Sequence, residues 1–270
     1  MSSYTLIDSG TEKKLERFGP YELIRPCPQA VWEPSFPDKW ENHHGEFVRD
    51  QGNRWKKRKT PPSWSVTFEK LQFKLMPTDF GHLGIFPEHA MHWKWIEKKM
   101  TAKKKSVLNL FAYSGGATLA LASKGISVCH LDASKGMVSW AKENASLNGL
   151  EKAPIRWIVD DALKFLKREI RRKVRYQGII LDPPSFGRGN QGQVFKIERD
   201  LIPLLELCQQ VVVRDGFVVL TAHTPGFTPT VLKHVLTQTL KNGTIESGEM
   251  LIPSESFSLP SGSYARWHGT

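Results

Sequence analysis

The sequence predicts an α/β protein: a mostly parallel sheet of seven strands with helices on both faces, preceded by a small β-rich N-terminal region. Three observations carry this. From Val107 onward, short apolar runs alternate with helical stretches at the spacing that builds a parallel sheet. Runs such as GIILD at 178–182 are apolar on both faces up to their terminal acid, as strands covered on both sides require. The first 80 or so residues differ: Trp32, Trp40, Trp55 and Trp64 fall there among many prolines, and stretches such as WSVTFEKLQFKL alternate with the period of a half-buried strand.

Two domains are expected, a β-rich one over 1–80 as a candidate substrate-recognition module and a larger one over 81–270. GHLGIFPEHAMHWKWIEKKM places Pro87 at a helix start, with Ala90, Trp93 and Ile96 as its apolar face. Strands follow at 106–110, 127–131, 155–159, 177–181, 215–221, 244–250 and 262–267. Helices fall between them at 115–124, 134–148, 161–173, 198–212 and 227–241, while DPPSFGRGNQGQV and TAHTPGFTP read as loops.

Composition narrows the function classes. With 270 residues and 40% hydrophobic content, the chain can bury a substantial core. No apolar run is long enough to span a bilayer, and the start lacks the apolar middle of a secretory signal, so a cytoplasmic protein with no membrane partner is expected. Three cysteines without C-x-x-C spacing suggest neither a disulfide framework nor zinc. Nine histidines, none at i, i+4 spacing with a useful acid, give no metal site. The net charge of +11 invites a polyanion, but the excess is spread, with 19 basic and 13 acidic residues in 1–105 and 19 and 14 in 106–270.

The stretch VLNLFAYSGGATLALASKGISVCHLDAS, 107–134, combines a buried strand, a glycine corner, a helix and a second strand ending on Asp132. Ligands of open α/β sheets bind beyond the carboxyl ends of the strands, where strand order reverses. A nicotinamide or flavin site would show G-x-G-x-x-G for its pyrophosphate, and FAYSGGATLA lacks that spacing. Asp132 still suits a ribose, since one carboxylate can accept from both hydroxyls. A nucleoside without a pyrophosphate fits better, and S-adenosyl-L-methionine is the abundant one.

At this point the chain resembles the class I S-adenosylmethionine-dependent methyltransferases, through LNLFAYSGGATLALA, VCHLDAS, IVDDALKFL and GIILDPPSFGRG in that order. The resemblance is closer to the large-subunit ribosomal RNA cytosine/guanine methyltransferase family, which shares the LNLFAYSGG and DPP-x-F forms and a segment similar to GIFPEHAMHW. It implies a Rossmann-like seven-stranded methyltransferase sheet over 81–270. It also implies that Phe111, Ala112, Tyr113 and Gly115 line the cofactor, that Asp132, Ala133 and Ser134 hold its ribose end, and that Asp161 and Ala162 meet the adenine. Phe86, Pro87 and Glu88 would fold over the methionine end, and Asp182 would border both cofactor and acceptor. The residues also have plain readings: a tight turn at Gly115 and Gly116, and a helix cap at Asp132 and Ser134.

The catalytic candidates are Asp182, Pro183, Pro184 and Phe186. Two prolines after a buried acid have no ordinary role in a parallel strand, and they keep the strand end rigid with its carbonyls free. An exocyclic base amine donating to the Asp182 carboxylate and the Pro183 carbonyl would be held with its lone pair toward a methyl carbon. Phe186 would stack on an extruded base, the alternative being an apolar plug beneath the loop. Cytosine C5 methylation needs a cysteine after strand five, where this chain reads LTAHTPG with His223 in that place, so transfer to nitrogen is expected, ahead of oxygen. Cys129 and Cys208 read as core residues.

The helix DALKFLKREIRRKVR separates an apolar stripe of Leu163, Leu166, Ile170 and Val174 from a basic one of Lys164, Lys167, Arg168, Arg171, Arg172 and Arg175. RWKKRKTPPSW, 54–64, sets a basic run between Trp55 and Trp64, a pattern suited to structured RNA. RNA, ribosomal RNA or its precursor, is the expected partner. A protein or small-molecule acceptor, an oxidoreductase and a non-catalytic RNA-binding protein remain as alternatives.

Overall fold

A computed structural model describes residues 3–49, 52–100, 106–188, 192 and 194–270. The chain divides into two compact units, Met1–Glu88 with Leu251–Ser261, and His89–Met250 with Gly262–Thr270.

The first unit is built on the strands β1 (Tyr4–Gly10), β2 (Lys13–Phe18), β3 (Tyr21–Pro26), β4 (Gly45–Val48) and β5 (Arg54–Lys56), which form one sheet in that order. β3 and β4 run parallel, and the other neighbours antiparallel. β6 (Trp64–Phe68) and β7 (Leu71–Leu75) form a separate hairpin. Two-residue turns join β1 to β2 through Thr11 and Glu12, and β6 to β7 through Glu69 and Lys70, all four at positive φ. That is the turn whose twist matches the flanking strands, adopted here without glycine. Leu15, Phe18, Leu23, Phe47, Phe73 and Leu75 are buried in this unit. Glu16 is buried among them and remains charged because Arg25, at 2.6 Å, and Lys14, at 3.2 Å, surround it and the Tyr4 hydroxyl donates to it.

The second unit holds α1 (Ala90–Lys99), β8 (Ser106–Leu110), α2 (Gly116–Ala122), β9 (Ser127–Asp132), α3 (Lys135–Leu147), β10 (Ile155–Val159), α4 (Ala162–Arg171), β11 (Tyr176–Leu181), β12 (Phe186–Arg188), β13 (Val194–Lys196), α5 (Ile197–Val211), β14 (Val212–Ala222) and α6 (Pro229–Thr239). With β15 (Gly243–Ile252) and β16 (Leu259–Gly269) they give a seven-stranded sheet in the order β10-β9-β8-β11-β14-β16-β15. The strands from β10 to β14 are parallel, and β16 inserts antiparallel beside β14. Chain order reverses between β8 and β11, so the carboxyl ends of β8, β9 and β11 converge where ligands of such sheets bind.

The elements follow the sequence reading closely, with three differences. Pro87 opens a short 3-10 turn, Pro87–His89, and α1 begins after it with Ala90, His92, Trp93 and Ile96 buried. The segment read as one loop after Asp182 contains the paired strands β12 and β13; its residues 189–191 and 193 lie outside the described residues. On α4 the buried face is wider than the expected stripe: Ala162, Phe165, Leu166 and Glu169 are buried, and Leu163, Ile170 and Val174 pack half-buried against the same core. Glu169 can be buried because the Tyr176 hydroxyl donates to it at 2.6 Å and Arg156 and Arg172 pair with it.

Candidate active site

The corner after β8 is conformationally unusual. Phe111, Tyr113 and Gly115 all have positive φ, at 54°, 50° and 93°, which places three left-handed residues within five positions. Only glycine adopts that region without cost, so the corner is held by its surroundings. The Ala112 N–H donates to the Leu131 carbonyl at 3.0 Å, and the Tyr113 N–H donates to Asp132 Oδ2 at 2.9 Å. A Cβ on Gly115 would lie 3.1 Å from that of Ala141, and one on Gly116 would lie 3.0 Å from the Trp93 ring, so the turn is packed from both sides. Beneath it a polar chain crosses the core: Asn109 donates to the Thr118 hydroxyl at 2.9 Å, and Thr118 meets His130 Nδ1 at 2.9 Å. Burial drives the His130 pKa down to about 3, so its ring is neutral.

Asp132 ends β9 and bridges the Tyr113 corner and the start of α3. Its Oδ1 accepts the Ser134 N–H at 2.8 Å while Oδ2 accepts that of Tyr113. Burial raises its pKa, with the two backbone N–H groups pulling the other way. Ser134 caps α3 by accepting from the Met137 N–H, so the plain cap reading holds for Ser134; Ala133 is the residue between. Asp161 caps α4 through Oδ1, which accepts the Lys164 N–H at 2.9 Å, and Ala162 is buried as the helix's first residue. Neighbouring Asp160 pairs with Arg168.

Asp182 follows β11 directly. Burial would raise its pKa, but the imidazoles of His223 and His89, with hydrogen bonds from His89 and Thr221, hold it well below the usual carboxylate range. The Thr221 hydroxyl donates to its Oδ1 at 2.7 Å. Pro183 is buried and Pro184 exposed. Phe186 is 50% exposed. The Ser185 hydroxyl contacts that of Thr224 at 2.6 Å, and the Ile197 N–H donates to the Ser185 carbonyl, which tie this strand end to β14 and α5.

The second unit thus gathers Phe111, Ala112, Tyr113, Gly115, Asp132, Ala133, Ser134, Asp161, Ala162, Asp182, Pro183, Pro184 and Phe186 on the carboxyl ends of adjacent strands or the loops that leave them. Phe86, Pro87 and Glu88 belong to the first unit, where Glu88 is buried and accepts from the Ser261 hydroxyl at 3.1 Å. Cys129 and Cys208 are buried, and burial lifts the Cys129 thiol to about 11 and Cys208 higher still, so neither offers a thiolate. His89 was not singled out by the sequence; it lies 134 residues from His223, a separation that no local motif encodes.

A sheet of this order, with acids at the carboxyl ends of β9, β10 and β11 and a glycine corner after β8, has the class I methyltransferase fold. The sequence profile of the S-adenosylmethionine-dependent methyltransferase family matches residues 42–242, and the chain belongs to that family. A SAM-dependent methyltransferase from Agrobacterium tumefaciens superposes with a TM-score of 0.94 at 37% identity, covering 100% of this chain and 91% of that one. SMU.776, solved with SAH, shares the fold with a TM-score of 0.78 at 18% identity over 98% of this chain and 75% of its own. Among curated relatives, the ribosomal RNA large subunit methyltransferase K/L of Shewanella frigidimarina is 38% identical over 136 residues, 50% of this chain and 18% of the relative. That of Pseudoalteromonas atlantica matches to the same extent, so the chain spans about a fifth of the length of these relatives.

Proposed function

We propose that this methyltransferase acts on a base nitrogen in RNA, with ribosomal RNA as the substrate class. The observation that carries the reading is the corner at Asp182: an ionised carboxylate at the switch point of the sheet, followed by two prolines and a half-exposed aromatic ring. The donor set suits S-adenosylmethionine, with Asp132 for ribose hydroxyls and Asp161, whose cap uses only Oδ1, for an adenine amine. Bound there, the cofactor supplies a methyl carbon made electrophilic by its sulfonium.

Asp182 accepts one N–H of the acceptor amine and the Pro183 carbonyl the other, which aims the nitrogen lone pair and disperses the positive charge that grows on it. Phe186 stacks on the base. All three cysteines, Cys27, Cys129 and Cys208, are buried with thiols raised by burial, which leaves no ready thiolate for attack at cytosine C6 and favours nitrogen over carbon. The names of the curated relatives support ribosomal RNA, and so does the net charge of +11. Within the first unit, Lys57 and Arg58 are exposed. Trp55 and Trp64 are half-buried, their indole N–H groups donating to the Thr78 and Phe18 carbonyls, so we assign RNA contact to the charges and not to these rings. Mass spectrometry of ribosomal RNA nucleosides from cells with and without this protein tests the reading. Loss of one N-methylated nucleoside is expected; an unchanged nucleoside profile overturns it.

A further inference from the structure

His89, at the end of the 3-10 turn before α1, and His223, immediately after β14, converge on one oxygen of Asp182. His89 Nε2 lies 3.4 Å and His223 Nε2 3.8 Å from Asp182 Oδ2, and the two ring nitrogens are 3.5 Å apart. Four-coordinate zinc holds nitrogen and oxygen at about 2.0–2.2 Å, which sets the edges of its tetrahedron at about 3.3–3.6 Å. The triangle of donors in this protein has those edges to within a few tenths of an ångström. The carboxylate is also oriented for the task. Thr221 occupies Oδ1, leaving Oδ2 to face the imidazoles, as an outer-shell partner does at built metal sites. Magnesium and calcium take oxygen ligands, so two imidazoles select a borderline transition ion.

We propose that His89, Asp182 and His223 form a Zn²⁺ site with three protein ligands and a fourth position left for water. The site stands on this geometry alone. Its consequence rests on the proposed function: an ion on Oδ2 engages the oxygen that the acceptor amine needs, so the metal-loaded protein does not transfer methyl groups.

The full chain, freed of metal by a chelator, is titrated with Co²⁺ as a spectroscopic substitute and then with Zn²⁺. One equivalent of Co²⁺ is expected to give the intense visible bands of a four-coordinate ion, and Zn²⁺ to abolish them by displacement. His89→Gln and His223→Gln should lose the bands, with melting temperatures in chelator confirming that they fold. Thr221→Val keeps all three ligands and should weaken Zn²⁺ binding by about 10- to 100-fold. A weak six-coordinate spectrum from the unaltered protein overturns the site even if no variant folds, and so do bands that persist in folded His89→Gln and His223→Gln. In a parallel arm, Zn²⁺ should stop methyl transfer to ribosomal RNA, and undiminished transfer by the zinc-saturated protein overturns the inhibition. If the metal-free protein transfers nothing while the Co²⁺ bands form as described, the site stands and the proposed function falls.

Discussion

Asp132 and Asp182 are the same side chain in opposite electrostatic settings. Burial raises Asp132, and its two backbone donors only partly offset this; Asp182 is partly buried, but two imidazoles and Thr221 carry it below the usual range. The stability signs therefore differ. The depressed Asp182 stabilises the fold above the unfolded pKa, and that contribution is lost only as pH falls through its lower folded value. The raised Asp132 costs stability when ionised at neutral pH; the cost starts to shrink as pH falls through its higher folded value and is gone below the unfolded one. On acidification Asp132 protonates first. Affinity for S-adenosylhomocysteine, followed by calorimetry against pH, should decline above the ordinary aspartate range, and a profile flat down to that range contradicts the ribose assignment. Acceptor-side variants should separate from this. Asp182→Asn is expected to lower the transfer rate by about 10²–10³-fold, the scale for one group aimed at developing charge. Phe186→Ala should cost about 1–3 kcal/mol in acceptor binding, the worth of one stacked base, with S-adenosylhomocysteine affinity retained. Equal losses of RNA and cofactor affinity in Phe186→Ala would remove its stacking role. Asp132 and Asp182 were legible in the sequence because each ends an apolar run. His89 and the Asn109–Thr118–His130 chain were not, because their meaning lies in contacts between separate elements.

At the scale of elements, the second unit was readable because its strands and helices have distinct periods and each begins or ends on recognisable chemistry. Ser134, Asp161 and Thr228 each cap a helix, and Gly115 supplies the left-handed residue before α2. What periodicity could not give was the register of a face whose buried members include a charge. Glu169 is fully buried on α4 because Arg156 and Tyr176, from β10 and β11, reach it, so an acid counted as polar belongs to the buried face beside the half-buried Leu163, Ile170 and Val174. The short strands β12 and β13 were hidden for another reason: three-residue pairs are too brief to show alternation. A tight packing demand falls on β11. A Cβ at Gly178 would sit 1.9 Å from Cζ of Phe217 on the adjacent β14, and Phe217 is itself 1% exposed. Gly178→Ala must push an enclosed ring off its rotamer or force the central strands β11 and β14 apart. A loss of about 1–3 kcal/mol or more is expected from overpacking, read as a lower denaturation midpoint in urea. Phe217→Leu combined with Gly178→Ala should recover some of it; a neutral Gly178→Ala would show that β11 and β14 adjust freely.

Over the whole molecule, the charge excess is large enough to bind a polyanion and too evenly spread to say where. The structure narrows the choice. On α4, Arg168 is paired with Asp160 and Arg172 with Glu169, so some of the basic stripe is committed within its own unit. In the first unit, Arg54–Lys59 leads out of the edge strand β5, with Arg54, Lys57, Arg58 and Lys59 exposed. Counterion release makes such a surface measurable, because each phosphate contact contributes about 0.7–0.9 to the slope of log affinity against log salt. Reversing Lys56, Lys57 and Arg58 to Glu should weaken binding to ribosomal RNA fragments and flatten that slope by about 2–3, the sum of three such contacts. S-adenosylhomocysteine affinity should not change, since the cofactor residues proposed for the second unit are untouched. The same reversal at Lys164, Lys167 and Arg171 on α4 serves as the comparison. A slope that falls only in the α4 variant moves the RNA surface to the second unit, and a slope unchanged in both assigns neither patch a role in binding.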